Sequence, residues 1–209
     1  MAFTFFFRDW PILQTAADML AAETMGRSRV RVWDAGCAMG PEPYTFLILL
    51  AERMGRFAFK NMFIDATDHD EGGDFGATIE AGVYPAEQLQ RMPPELFAKY
   101  FAPAEGRPGW FVIAPCLRER IRFRRHDLLS LSAPGEGYAM IICKNVLLHF
   151  EAEKRIEVID MFHSALADNG LLVLEHTQKM PPECGELFEQ AADNSSIYRR
   201  KAVVPVLVA

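Results

Sequence analysis

The chain has 209 residues, half of them hydrophobic, and a net charge of −6. That length suits one domain of about 150 residues with a small appendage, and the apolar fraction excludes a globally disordered chain. The acidic balance argues against a general nucleic-acid binder, and no apolar run approaches the length needed to span a bilayer.

The patch formed by Phe3, Phe5, Phe6 and Phe7 ends at Arg8 and Asp9, too soon for a signal peptide. The four cysteines, at 37, 116, 143 and 184, include no Cys-x-x-Cys pair. Without a secretory signal they are expected as free thiols in a reducing cytoplasm. The five histidines form no ligand pair, so no metal site is expected.

Residues 10–26 are predicted as a helix, with Ile12, Leu13, Ala16, Met19 and Leu20 at helical spacing. Val30–Ala35 is predicted as the first strand and Pro43–Met54 as the next helix, where Pro43 suits the first turn. A second strand is expected over Lys60–Thr67, ending at Asp68. Short helices follow at Phe75–Ala81, closed by Gly82, at Ala86–Gln90 and at Pro93–Tyr100. Residues 102–108 are expected to be a loop, and Trp110–Ile113 with Arg118–Arg124 a β-hairpin. Tyr138–Cys143 is predicted as a buried strand and Glu151–Ala167 as an amphipathic helix with Asn169-Gly170 at its C-cap. Leu171–Glu175 is the next expected strand, Glu183–Ala192 a helix, and Ser196–Val208 a last strand or strand pair.

Strands alternating with helices imply an α/β fold with a mostly parallel, doubly wound sheet. The expected organisation is one domain over 1–209, with a small antiparallel insertion at about 109–125. In such sheets ligands bind beyond the carboxyl ends of the strands. The segment from Val30 to Tyr44 runs from an apolar strand into an acid, a glycine turn and a helix. It presents Asp-x-Gly-x-x-x-Gly, with Asp34, Gly36 and Gly40, rather than the Gly-x-Gly-x-x-Gly of dinucleotide binders. Glycine lets a ligand approach the backbone, and the pattern points to a nucleoside carrying an amino acid, such as S-adenosylmethionine. Asp68 ends the second strand, where a carboxylate suits ribose hydroxyls. Asp34 and Asp68 can also serve as caps or turn formers. Lys144-Asn145 and Glu175-His176 end later strands. Asn145 can equally be a turn residue, and His149 a half-buried structural histidine.

Several motifs, in order, resemble the CheR-type chemotaxis receptor methyltransferases. Thr4-Phe5-Phe6-Phe7-Arg8-Asp9 resembles T-x-F-F-R-D, and Arg31 to Tyr44 resembles R-x-W-S-A-G-C-S-S-G-E-E-P-Y. Ala66-Thr67-Asp68-His69-Asp70 is similar to A-T-D-I-D, and Gly82-Val83-Tyr84 to G-I-Y. His126-Asp127-Leu128-Leu129 sits at N-L-L, Ile142 to Phe150 resembles F-C-R-N-V-M-I-Y-F, and Leu166 to Leu172 resembles L-x-P-G-G-L-L.

The resemblance implies a Rossmann-like, S-adenosylmethionine-dependent O-methyltransferase that esterifies glutamate side chains of an acidic protein such as a receptor helix. It implies that Thr4 and Arg8 close over the methionine part of the cofactor and that Glu42 meets its ammonium. Asp34 and Gly36 would lie at the cofactor turn, with Asp68 on the ribose and Asp127 near the adenine. Lys144 would border the cofactor, and Arg8, Asn145 and His149 the reacting end. The family's arginine and tyrosine stand as Lys144 and His149 here, its usual serine as Asp34, and the chain begins almost at T-x-F-F-R-D, without the helical domain that precedes it in the family. A non-catalytic cofactor-binding module and a small-molecule methyltransferase are the alternatives. Arg118, Arg120, Arg122 and Arg124 alternate, so in one strand they share a face, either as a strip for an acidic partner or as a solvated surface.

Overall fold

The computed structural model describes residues 4–202. The chain runs through α1 (Trp10–Glu23), β1 (Val30–Ala35), α2 (Pro41–Phe59), β2 (Met62–Asp68), α3 (Phe75–Ala81), β3 (Val83–Pro85), α4 (Ala86–Leu89) and α5 (Pro94–Tyr100). It continues through β4 (Phe101–Pro103), β5 (Trp110–Ile113), α6 (Pro115–Arg118), β6 (Ile121–Arg125), β7 (Tyr138–Cys143), α7 (Ala152–Ala165), β8 (Leu166–Leu174), β9 (Phe188–Gln190) and β10 (Ile197–Arg200).

Among the described residues the main sheet has the order β6-β2-β1-β7-β8-β10-β9. The strands from β6 to β8 are parallel, and β10 and β9 add an antiparallel edge. The central strands β1 and β7 are apolar on both faces except for Arg31 and Asp34 of β1, because both faces are covered. Val30, Val32, Met62, Ile64, Met140 and Ile142 pack with α1 and α2 on one side. On the other, Trp33, Tyr138 and Ile141 pack with Val158, Ile159 and Phe162 of α7. Trp33 is fully buried and its Nε1–H donates to Thr67 Oγ1 at 2.8 Å, so its indole carries no unpaired donor. This is the doubly wound α/β architecture expected, with a small antiparallel sheet beside it.

That small sheet differs from the expected hairpin. Its order is β3-β5-β4, and residues 109–125 divide between two sheets. Pro115 opens the helical turn of α6, whose Leu117 is fully buried, and the chain then turns into β6. There Ile121–Arg125 pairs in parallel with Ile64–Asp68, completing the edge of the main sheet. Only Arg122 and Arg124 of the four alternating arginines therefore share a strand face. The three-residue strands β3 and β4 are too short to carry a period, and β4 begins immediately before the expected 102–108 loop.

Three further differences have local causes. Helix α2 begins two residues earlier than expected, at Pro41, and extends to Phe59 through a break at Gly55 (φ 68°, ψ 161°). Asn169-Gly170 is not a helix C-cap. β8 starts at Leu166 directly after α7, and the chain takes five steps from Leu166 to Leu171 against two from Tyr138 to Met140. Asn169, at φ 60°, turns that bulge. Glu183–Ala192 is not helical: a 3-10 turn at Pro182–Cys184 gives way to β9, because pairing with β10 outweighs the helix propensity of its residues. Of the expected strand at 196–208, Ile197–Arg200 is formed, and 203–208 lie outside the described residues.

Candidate functional site

The carboxyl ends of β1, β2, β6 and β7 converge on a cavity of about 580 Å³. Its floor is the turn after β1. Gly36 N–H and Cys37 N–H both donate to Thr67 O, at 2.8 and 3.0 Å, which locks this turn against the end of β2. Gly36 sits at φ +99°, and a Cβ there would lie 2.1 Å from Val146 Cγ2. Only glycine satisfies both conditions. Gly40, at φ +98°, precedes Pro41, and its carbonyl accepts the first bond of α2 from Tyr44 N–H at 3.1 Å. Pro41 suits this position because a first-turn N–H would have no helical partner.

Glu42 lies in that first turn, where a carboxylate is favoured by the helix dipole. Lys144, just past β7, reaches it: Nζ lies 2.9 Å from Glu42 Oε2 and 4.0 Å from Asp9 Oδ2. The lysine side chain is wholly buried. Asp68, at the end of β2, accepts from Ala38 N–H through Oδ2 at 2.9 Å. The carboxylate thus ties the two strand-end turns together and keeps further acceptor capacity toward the cavity.

Asp127 caps the 3-10 turn Leu128–Ser130, accepting from Leu129 N–H at 2.9 Å through Oδ1. This places Leu128 and Leu129 on the cavity wall, which Val146 also lines. Asn145, in a left-handed conformation at φ 59°, donates through Nδ2 to Glu175 Oε2 at 2.9 Å. Glu175 also accepts from Thr177 Oγ1 at 2.5 Å, so the asparagine amide is oriented by a fixed partner.

The mouth is crossed by residues 4–9. Phe6 N–H donates to Gln88 O and Phe7 N–H to Thr45 Oγ1, each at 3.0 Å. The Phe6 ring meets Tyr84 and Phe101 edge-on at 4.9 and 5.3 Å. These anchors hold Thr4, Phe5 and Arg8 over the cavity.

Of the residues expected in the site, the fold brings Thr4, Arg8, Gly36, Glu42 and Asp68 to the cavity wall together with Asp127, Lys144, Asn145 and His149. His149 is exposed at the rim. Asp34 is a correction: it does not face the cavity. Strand alternation points it to the same side as Val30 and Val32, and it is fully buried with neither carboxylate oxygen hydrogen-bonded among the described residues. Burial pushes its pKa well above the usual carboxylate range; Glu42 and Asp68 raise it further, and Lys144 opposes them. Burial likewise raises the thiols of Cys37 and Cys143, which are therefore poor nucleophiles at neutral pH. Phe5, His126 and the leucine pair were not expected at the cavity. Of these, the leucines had a usable signal, a capping Asp127 followed by two apolar residues at a strand end. No group of three or more possible metal ligands occurs among the described residues, and no described helix is long and apolar enough to cross a membrane.

The sequence matches the model for the CheR methyltransferase, SAM binding domain, over residues 2–197. It is 31% identical over 179 residues to chemotaxis protein methyltransferase 1 of Pseudomonas aeruginosa, covering 82% of this chain and 64% of that protein. It is 30% identical over 178 residues to the chemotaxis protein methyltransferase of Listeria innocua, covering 84% and 64%. It is also 34% identical over 178 residues to an uncharacterised 104.1 kDa protein of Rhodobacter capsulatus, covering 82% of this chain and 18% of the other. The chain thus spans at most 64% of the length of these relatives. With its strand-end turns, paired acids and N-terminal strap over one cavity, the chain belongs to the CheR methyltransferase family, in its domain that binds S-adenosylmethionine.

Proposed function

We propose that the protein transfers the methyl group of S-adenosylmethionine to a carboxylate, most naturally a glutamate side chain of a chemotaxis-type receptor. The observation that carries this reading is the placement of Glu42 and Asp68 on one cavity, beneath a strap that holds Arg8. The cavity volume of about 580 Å³ falls within the range of small-molecule sites.

The donor set suits this cofactor part by part. Glu42 offers a carboxylate to the ammonium, and Asp68 retains lone pairs for the ribose hydroxyls. Leu128, Leu129 and Val146 offer an apolar slot to the base, with Asp127 at its edge. The turn at Gly36 allows the backbone close to the ligand. Thr4 and Arg8 close over the methionine end.

When bound, S-adenosylmethionine supplies a sulfonium methyl that is already electrophilic. A glutamate carboxylate is already a nucleophile at neutral pH, so the protein needs no general base. Its task is to hold carboxylate, methyl and sulfur in line and to exclude water. Asn145, fixed by Glu175, and Arg8 on the strap would orient the acceptor, with His149 at the rim.

A second reading, a cofactor-binding module without transfer, is favoured by one observation. The buried Lys144 side chain is paired with Glu42 and does not reach out toward an acceptor. Incubation with methyl-labelled S-adenosylmethionine and an acidic receptor fragment separates the two readings. Base-labile label released as methanol supports the transferase. Binding of S-adenosylhomocysteine with no label on any carboxylate acceptor supports the module.

A further inference from the structure

Among the described residues, no helix covers at β2 and β6 the face of the main sheet that α7 covers at β1, β7 and β8. The connection from β6 to β7, residues 126–137, holds only the 3-10 turn Leu128–Ser130. A parallel crossover usually carries a helix that would cover this face. The register places Arg31 beside Phe63, Asp65 beside Arg122, and Thr67 beside Arg124. Paired residues of parallel strands share a face; on it Arg122 and Arg124 are exposed, while Thr67 is buried against Trp33.

The groove around this edge is about 600 Å³ and is lined by Arg29, Arg31, Arg118, Arg122 and Arg124 against two acids, Asp65 and Glu80. Asp65 is already engaged, 2.6 Å from Arg31 and 3.3 Å from Arg124. On its wall Phe63 lies under the guanidiniums of Arg29 and Arg120, 6.0 and 5.1 Å from the ring centroid. Such a concentration of arginine is unusual for a chain with a net charge of −6.

We propose that this arginine face docks an acidic helical protein segment, the one that carries the acceptor glutamate; this second clause rests on the carboxylate-methylating reading above. Charge complementarity selects an acidic partner, and the protein's overall charge disfavours nucleic acid. Arginines two apart on a strand are about 6.6 Å apart, close to the roughly 6 Å rise between helix positions i and i+4. A carboxylate stripe on one helix face therefore meets the row at Arg122 and Arg124. Strand β6 also runs directly into His126 and Asp127, which line the cofactor cavity. The distance from Arg122 to His126 is about 13 Å along the strand, or about nine residues of a docked helix.

The test uses the intact protein and a fluorescein-labelled, Glu-rich helical peptide of about 20 residues, read by anisotropy at low ionic strength. A Gln-for-Glu peptide, a DNA duplex and phosphatidylglycerol vesicles serve as comparisons. The proposal predicts binding of the Glu peptide that weakens with salt, no binding of the Gln peptide, and at least about tenfold weaker binding by R29E/R122E. R29Q/R122Q, which keeps the face uncharged rather than reversed, should lie between. S-adenosylhomocysteine affinity should be the same in all three proteins.

Equal peptide affinity for R29E/R122E and the unaltered protein, or no peptide binding by the latter, overturns the proposal. Tighter binding of the duplex or the vesicles overturns the partner class. Methyl transfer to the same peptide undiminished in R29E/R122E overturns the link to the acceptor. Peptide docking that is lost in R29E/R122E, with no transfer in any protein, supports the docking face and contradicts the transferase.

Discussion

Lys144 Nζ and Glu42 Oε2 lie 2.9 Å apart at the base of the cavity, joining the end of β7 to the first turn of α2. The lysine side chain is wholly buried and the glutamate, on the cavity wall, is part-buried. Removing one partner of a buried pair leaves the other uncompensated, at a cost of about 3–5 kcal/mol. Lys144→Met should destabilise the protein by about 3 kcal/mol or more in denaturant melts. The double variant Lys144→Met/Glu42→Gln should recover a substantial part of that loss, because the stranded charge is gone. Additive losses in the cycle would show that the pair is uncoupled.

Asp34 gives a pH-dependent prediction. Its pKa in the folded protein is raised, chiefly by burial. The native state therefore holds this proton to higher pH than the unfolded chain does. The favourable contribution is complete below about pH 3.9 and is lost as the pH rises toward the folded value, by about 1.4 kcal/mol per pH unit. Asp34→Ser removes the titrating group. Relative to the unaltered protein, the variant should gain stability as the pH rises above about 3.9, and its stability should depend less on pH. Denaturant melts across a pH series check this; parallel curves would contradict the burial of an unpartnered carboxylate.

Gly36 makes the cavity floor sensitive to a single methyl group. Gly36→Ala brings a Cβ within 2.1 Å of Val146 Cγ2 at a backbone φ of +99°. The clash and the left-handed backbone each cost on the order of 1–3 kcal/mol. A fall of about 2–6 kcal/mol in stability is expected, with weaker S-adenosylhomocysteine binding. Adding Val146→Ala removes the clash and leaves the strain, so it should restore part of the stability. Calorimetry and thermal melts of the three proteins read both quantities.

Long apolar stretches and strong punctuation were legible in the sequence. Val30–Ala35 and Tyr138–Cys143 form strands with the expected bounds, and Phe75–Ala81 is closed by Gly82 in the left-handed conformation. What escaped depends on distant partners. Ile121–Arg125 joins the main sheet because β2 offers it an edge. Phe188–Gln190 becomes a strand because β10 does. Asn169 turns a bulge whose need is set by β7.

The site followed the same division. Gly36, Asp68 and Asn145 were legible because the carboxyl ends of parallel strands are where ligands collect, whereas Glu42, in the first turn of α2, was reached only through the family resemblance. Asp34 shared that signature, yet a single step along the strand sends its side chain into the core. The partnership of Asn145 with Glu175 joins two strand ends 30 residues apart in sequence, and no local pattern announces it.

The central claim, that the cavity at these strand ends binds the adenosyl cofactor through its acids, is tested most directly by calorimetric titration with S-adenosylhomocysteine. The unaltered protein should bind one equivalent. Asp68→Ala should weaken binding by about 1.5–3 kcal/mol, the worth of a charge-assisted acceptor. No binding by the unaltered protein, or unchanged affinity in Asp68→Ala, would contradict the account.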